Sequence, residues 1–267
     1  MHFRQLCKEL SEIVEIVRTR CGQRLRRHGY LRHAGLADTH SRFDFEALLA
    51  TPARDAPFVV LDTETTGFEP YGGDRIVQVA LIEYRGLEPT GRELCSLVNP
   101  GIAIPAPSTA VHGITDDQVS DAPTIDELIA DIAAFIDGHV LVGHHVAFDL
   151  RFLERPLRRR LLRDLRNPRI DTVALHHADG GAPDCISLDA VAAICGTAVH
   201  ERHDALGDAR TCGEIFVHHT RSLTTASTTV GELLEMVHPI AGLSPRHPAQ
   251  GGSAMSTNEQ RQRRYVQ

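Results

Sequence analysis

Phe58-Val59-Val60-Leu61-Asp62-Thr63-Glu64-Thr65-Thr66-Gly67 begins with four apolar residues and then sets two carboxylates two positions apart. A short, wholly apolar run of this kind reads as a buried strand. Residues i and i+2 of a strand share a face, so Asp62 and Glu64 project together from a rigid support. Like charges on one face repel unless a cation lies between them. Mg²⁺, which takes one or two carboxylates plus waters and phosphates, is the economical partner. Alone, an Asp-x-Glu at a strand end is equally well a capped turn, so the rest of the chain must decide.

Outward from this stretch the texture is α/β. Arg75–Tyr84 is a long β-branched run that reads as a second, adjacent strand. Thr124-Ile125-Asp126-Glu127 is a capping box, and Leu128, Ile129, Ile132, Phe135 and Ile136 keep helical spacing up to Gly138. Val140-Leu141-Val142 gives another buried strand. Phe148–Leu153 begins a helix that Pro156 kinks or ends, Ser187 caps a helix through Ala193, and Asp208–Val217 forms the last one. Residues 1–50 read as a helical basic extension. Its apolar positions Phe3, Leu6, Leu10, Ile13, Ile16 and Val17 fall at three- and four-residue steps, followed by Arg18, Arg20, Arg24, Arg26, Arg27 and Arg32. Thr51–Pro57 reads as a linker, and residues 223–267 as a weakly ordered tail despite Leu233, Leu234, Met236 and Val237.

Composition bounds the chemistry. The chain of 267 residues is 42% hydrophobic and 24% charged, with no apolar run long enough to cross a bilayer and no secretory signal at its start; a cytoplasmic protein without membrane contact is expected. Its only lysine is Lys8, so phosphate-loop and Schiff-base mechanisms have no lysine elsewhere in the chain. A net charge of −7 offers nucleic acid no global attraction; binding must come from arginine clusters or from metal held by carboxylates. The six cysteines show no C-x-x-C spacing and are expected to be buried thiols.

Two further segments carry acids where strand gives way to helix. Gly143-His144-His145-Val146-Ala147-Phe148-Asp149 places Asp149 in a first helical turn, and in His203-Asp204-Ala205-Leu206-Gly207-Asp208 a histidine precedes an aspartate by five. Four acids and a histidine, delivered from strand ends and helix starts, suit a two-metal phosphodiesterase site.

Together these three segments, in this order, resemble the exonuclease motifs of the DEDD superfamily of 3′→5′ exonucleases. The likeness is to the DnaQ-like branch, whose members include the proofreading epsilon subunit of bacterial DNA polymerase III. It covers residues 57–222 and implies a ribonuclease H-like fold, a central mixed β-sheet flanked by helices. By position, Asp62, Glu64, Asp149 and Asp208 match the metal-binding acids, and His203 the general base. Asp204 stands where the tyrosine-type branch has Tyr, so the chain is of the histidine type, DEDDh. The resemblance implies two Mg²⁺ ions, with Mn²⁺ as a substitute, DNA 3′ ends as substrate, RNA as an alternative, and a DNA polymerase as a candidate partner. Val111-His112-Gly113-Ile114-Thr115 resembles the family's V-H-G-I segment, which makes His112 a substrate contact; Thr65, Thr66 and Gly67 lie where backbone can approach the terminal nucleotide, or form an ordinary turn. The chain departs from the pattern at His145, where the family has asparagine, and at Pro107, where the epsilon subunit has glutamate.

The expected activity is metal-dependent 3′→5′ removal of nucleoside 5′-monophosphates from single-stranded or mispaired DNA. The alternatives are a 3′→5′ exoribonuclease and a non-catalytic module that binds nucleic acid or a polymerase. A structural ion-pair network is disfavoured because no basic residue lies inside the three motifs ahead of the last helix. The pairs His144-His145, His176-His177 and His218-His219 are not expected to bind zinc, since neighbours in a regular element point apart. Arg155, Arg158, Arg159, Arg160, Arg163, Arg166 and Arg169 read equally as a phosphate-binding ridge or a solvated face, and Phe148 reads as core rather than a base-stacking residue.

Overall fold

The computed structural model describes residues 44–162, 164–184 and 186–237. The amphipathic helix and arginines expected in the N-terminal extension lie outside the described residues, as do 238–267, Arg163, Cys7, Cys21 and Cys185. In chain order the elements are α1 (Phe45–Ala50), β1 (Pro57–Thr65), β2 (Ile76–Arg85), β3 (Glu88–Leu97), α2 (Ala106–His112), α3 (Asp116–Val119), α4 (Ile125–Ile136), β4 (Val140–Gly143), α5 (Ala147–Leu161), β5 (Arg169–Asp171), α6 (Thr172–Ala178), α7 (Leu188–Cys195), α8 (Ala205–Leu223) and α9 (Val230–Val237).

The five strands form one mixed sheet in the order β3-β2-β1-β4-β5, with β1 antiparallel to β2 and parallel to β4. This is the mixed, helix-flanked sheet that the resemblance implies. Its core follows from the two-residue period of β1. Phe58 and Val60 face one cluster with Phe216, Val191 and Leu234, whereas Val59 and Leu61 face another with Ile132, Leu150 and Leu153. Phe58 is fully buried with its ring 4.8 Å from that of Phe216, a contact whose truncation in a core costs about 3–5 kcal/mol. Continuing the alternation carries Asp62 and Glu64 onto the α8 side and Thr63 onto the α5 side.

Several boundaries differ from the sequence reading. Helix α5 runs through the buried Pro156 to Leu161, so of the two outcomes read from the sequence the proline does not end the helix. Helix α8 begins at Ala205 rather than Asp208, because Asp204 caps it by accepting from the Leu206 and Gly207 N–H groups. The 51–57 stretch is no free linker: Ala53 and Ala56 are fully buried and Ala53 N–H donates to the Thr228 carbonyl. The apolar residues assigned to a weakly ordered tail form α9, which buries Leu233, Leu234 and Val237 in the same core as Phe58. Edge strand β3 was not read from the sequence; its residues are mostly exposed, so it carries little hydrophobic pattern. Of the cysteines described, Cys212 is buried but Cys95 is exposed, against expectation. Among the described residues no helix is long and apolar enough to cross a membrane.

Candidate active site

Strand β1 ends at the sheet's centre, and its register with β2 shifts between Glu64 and Thr65. Such irregularities re-aim the side chains beside them. Opposite Glu64, Gln78 of β2 donates to Asp204 Oδ2 at 2.7 Å and accepts from Ala205 N–H at 3.0 Å. One buried amide thereby fixes the start of α8, and with it Asp208, against the strand that carries Asp62 and Glu64. From the other side, Thr63 Oγ1 donates to Asp149 Oδ1 at 2.7 Å, holding the first turn of α5 to β1. Neither Thr63 nor Gln78 was singled out in the sequence, since their partners lie 86 and 126 residues away.

The four acids therefore converge, and each pays in ionisation energy. Burial, followed by Asp149, Glu64 and Asp208, holds the Asp62 carboxyl well above its usual range. Burial and then Asp208 push Glu64 up to about 8. Burial raises Asp149 to about 7 against the opposing hydrogen bond from Thr63. Burial also raises Asp208, against the pull of Arg202. Uncompensated carboxylates gathered in a low-dielectric site call for cations. Asp208 Oδ1 is buried with no hydrogen-bond partner among the described residues. Ligand atoms of Glu64, His203 and Asp208 lie within 4.8 Å of one another. The donor set, all hard oxygens and one imidazole, fits divalent ions of the Mg²⁺ or Mn²⁺ class.

His203 sits in the left-handed region, φ 59°, and its N–H donates to Asp208 Oδ2 at 3.2 Å. Burial and then Arg202 lower its pKa, which keeps the ring neutral and able to accept a proton. The loop is held tightly: a Cβ on Gly207 would lie 2.1 Å from the Glu201 carbonyl oxygen. Arg202, immediately before His203 and so outside the three motifs, brings to the acids a basic group that the motif reading did not include. It pairs with Asp208 through Nη1 and with Asp189 through Nε at 2.6 Å. The sequence signal was present, a cation beside the histidine, but only the turn before α8 swings it onto the acid.

The substrate-contact candidates surround this point. Thr66 is buried, its hydroxyl accepting from Arg75 N–H at 3.0 Å, while Thr65 Oγ1 donates to the Gly67 carbonyl at 2.6 Å. A Cβ at Gly67 would lie 2.4 Å from the Asp74 carboxylate and would displace that side chain from its bond with Glu69 N–H. Ser108 of α2 donates to the Thr66 carbonyl at 2.8 Å and brings α2 over the end of β1. At the C-terminus of α2, His112 Nδ1 accepts from Ile114 N–H at 3.0 Å, so Nε2 carries the hydrogen. Nε2 is buried without a partner of good geometry, although the Thr65 backbone stands close enough to favour the protonated ring. Burial outweighs that influence and lowers the pKa. Pro107 lies in the first turn of α2, where a missing N–H costs nothing.

Other motif residues support the scaffold. His144 bonds Thr172 Oγ1 and the Ile186 carbonyl, both at 2.8 Å, and burial pushes its pKa down to about 3. His145, in place of asparagine, adopts φ 57° and its N–H donates to Asp171 at 3.2 Å; asparagine takes that backbone conformation more readily. Phe148 is half-buried, its ring 5.1 Å from that of Phe152 and 6.1 Å from that of Phe68. In the arginine ridge, Arg158 pairs with Asp164 at 3.0 Å and Arg159 with Asp126 at 2.5 Å, which spends part of its charge within the protein.

Comparison with known proteins finds relatives among nucleases and polymerase subunits. A Rhodobacter capsulatus protein named DNA polymerase III subunit epsilon-like protein is 44% identical over 197 residues, covering 72% of this chain and 28% of its own. The DNA polymerase III subunit epsilon of Treponema pallidum is 33% identical over 170 residues, covering 61% of this chain and 78% of its own. The chain thus spans little more than a quarter of the first relative and most of the second. Among solved structures, exonuclease X in complex with 5′ overhanging duplex DNA superposes with a TM-score of 0.52 at 22% identity, over 68% of this chain and 99% of that one. E. coli exonuclease I in complex with a dA16 oligonucleotide gives 0.53 at 20% identity, over 62% and 41%. A family model for exonucleases of the RNase T type matches residues 59–216, which run from the first core residues of β1 to the Phe216 ring of α8. By that match the chain belongs to the RNase T exonuclease family, and its likeness to the Treponema pallidum epsilon subunit puts it in the DnaQ-like branch.

Proposed function

We propose that the protein is a 3′→5′ exonuclease of the DEDDh type that removes nucleoside 5′-monophosphates from DNA, with single-stranded or mispaired 3′ ends as preferred substrates. The observation that carries this reading is the gathering of Asp62, Glu64, Asp149 and Asp208 around one point, with a neutral His203 beside them. Asp62, Glu64 and Asp208 would hold one divalent ion, and Asp62 with Asp149 a second. Bound there, two Mg²⁺ or Mn²⁺ ions supply Lewis acidity that lowers the pKa of the attacking water and stabilises the leaving oxygen. His203 takes the proton from that water, a task suited to a group kept neutral near pH 7. Arg202 neutralises Asp208 until that carboxylate is engaged. The Thr65–Gly67 backbone and His112 hold the terminal nucleotide. The catalytic unit proposed is 57–222, extended by α9 in the same core and preceded by the 1–50 extension. The relatives named as epsilon subunits support a DNA polymerase as partner, and their bacterial origin supports a cytoplasmic location.

The test is a gel assay of 5′-labelled single-stranded DNA, matched and mispaired primer duplexes and short RNA with Mg²⁺, beside EDTA and Asp62→Ala controls. A ladder shortening from the 3′ end of DNA, absent in both controls, is the expected result. Faster trimming of RNA would replace DNA as substrate, and no trimming of either would remove the catalytic reading.

A further inference from the structure

A second group of ligating side chains lies away from the acids. Cys195 ends α7, and His218 and His219 stand near the C-terminal end of α8. One ligand atom from each lies within 4.8 Å of the others. Asp208 is ten residues earlier on the same helix, about 15 Å away at 1.5 Å per residue. Adjacent histidines do point apart at their Cα atoms, as the sequence reading held. Here, however, their side chains turn toward each other, with ring centroids 5.1 Å apart, and the end of α7 supplies the third ligand.

We infer that Cys195, His218 and His219 form a zinc-class metal site that staples the end of α7 to the last turns of α8. Three observations support it. The Cys195 Sγ to His219 Nε2 separation is 3.3 Å; a tetrahedral ion with bonds of about 2.3 Å to sulfur and about 2.0 Å to nitrogen sets those atoms about 3.5 Å apart, so the ligands are nearly in place. The far nitrogen of His219 is already oriented, with Nδ1 2.9 Å from Asp179 Oδ2 and Asp179 Oδ1 accepting from Ser222 Oγ at 2.6 Å. A carboxylate on the outer nitrogen of a ligating histidine is the usual support of zinc-bound imidazole. Finally, His176 is 1% exposed, its ring 5.3 Å from that of His219, and neither of its nitrogens has a hydrogen-bond partner among the described residues. Buried polar atoms of this kind are ordinarily completed by water or an ion; a water in the fourth position of the ion supplies one. On binding, the Cys195 thiol gives its proton to solvent and ligates as thiolate. Half-exposed Cys195 and exposed His218 leave an entry path.

Co²⁺ added to the full chain tests this without reference to activity, because only a thiolate ligand gives a sulfur-to-cobalt charge-transfer band and the acidic site has no sulfur. The expected result is a near-ultraviolet band that saturates at one Co²⁺, is bleached by Zn²⁺, and is lost in Cys195→Ser and His218→Ala while circular dichroism shows both variants folded. Asp179→Asn should weaken Co²⁺ binding about 10- to 100-fold. Zn²⁺ should also protect Cys195 from iodoacetamide. No band in the wild type, a band that persists in Cys195→Ser, or alkylation of Cys195 that Zn²⁺ does not slow would each overturn the site; the last would mark a reactive Cys195–His219–Asp179 thiol instead.

Discussion

Neutralising Asp149 should stabilise the metal-free protein while destroying its activity. Burial raises the Asp149 carboxyl from 3.8 to about 7. At about 1.4 kcal/mol per pH unit, ionising it in the folded chain costs on the order of 4 kcal/mol more than in the unfolded one. A raised carboxylate pKa means that the folded state binds more protons between the two values. Stability without metal is therefore unaffected below pH 3.8, falls as pH rises from there to about 7, and stays low above it. Asp149→Asn keeps an oxygen to accept from Thr63 and removes the charge. Because the other acids share the strain, about 2 kcal/mol of the penalty should be recovered at pH 8 in EDTA, or roughly 4–8 °C in unfolding midpoint for a domain of this size. The gain should vanish near pH 4 and reverse in saturating Mg²⁺, which stabilises only the intact acid cluster. Differential scanning calorimetry at pH 4, 6 and 8, with EDTA and with Mg²⁺, measures all of this. A variant melting at or below the wild type at pH 8 in EDTA would refute the claim that holding a buried, ionised Asp149 costs the folded protein stability.

His203→Ala should lower kcat by about 10²–10⁴-fold with little change in stability and remove the acidic limb of the pH–rate profile; an unchanged profile would assign the base elsewhere. Arg202→Gln releases Asp208 from a charge-assisted hydrogen bond. The Mg²⁺ concentration for half-maximal activity should then fall about tenfold, the effect of losing roughly 1.4 kcal/mol of competition, and a Mg²⁺ titration of rate reads it. Gly207→Ala would drive a Cβ against the Glu201 carbonyl, displacing the turn that carries Arg202 and His203. It should cost about 1–3 kcal/mol in urea unfolding and more than tenfold in activity, and wild-type behaviour would mean that the turn yields freely.

The sequence by itself determined the central strands and where the acids stand at the ends of strands and the starts of helices. Apolar strands at 58–61 and 140–142 and the two-residue period that pairs Asp62 with Glu64 are local properties of the chain, as is the capping box at Thr124. Each depends only on neighbours within a few residues, which is why each was legible. Tertiary structure decided what lies against those elements. Thr63 meets Asp149 and Gln78 meets Asp204 only after β1, β2, α5 and α8 have packed, and the pKa values of the acids arise from that convergence and the burial that goes with it. The same holds for Arg202 on Asp208, for α9 completing a core that its own short apolar run cannot form alone, and for Cys195 reaching two histidines that a straight helix would point apart. Local periodicity fixes which way a side chain leaves its own element; the partner it finds depends on helices and strands up to 126 residues away in the chain.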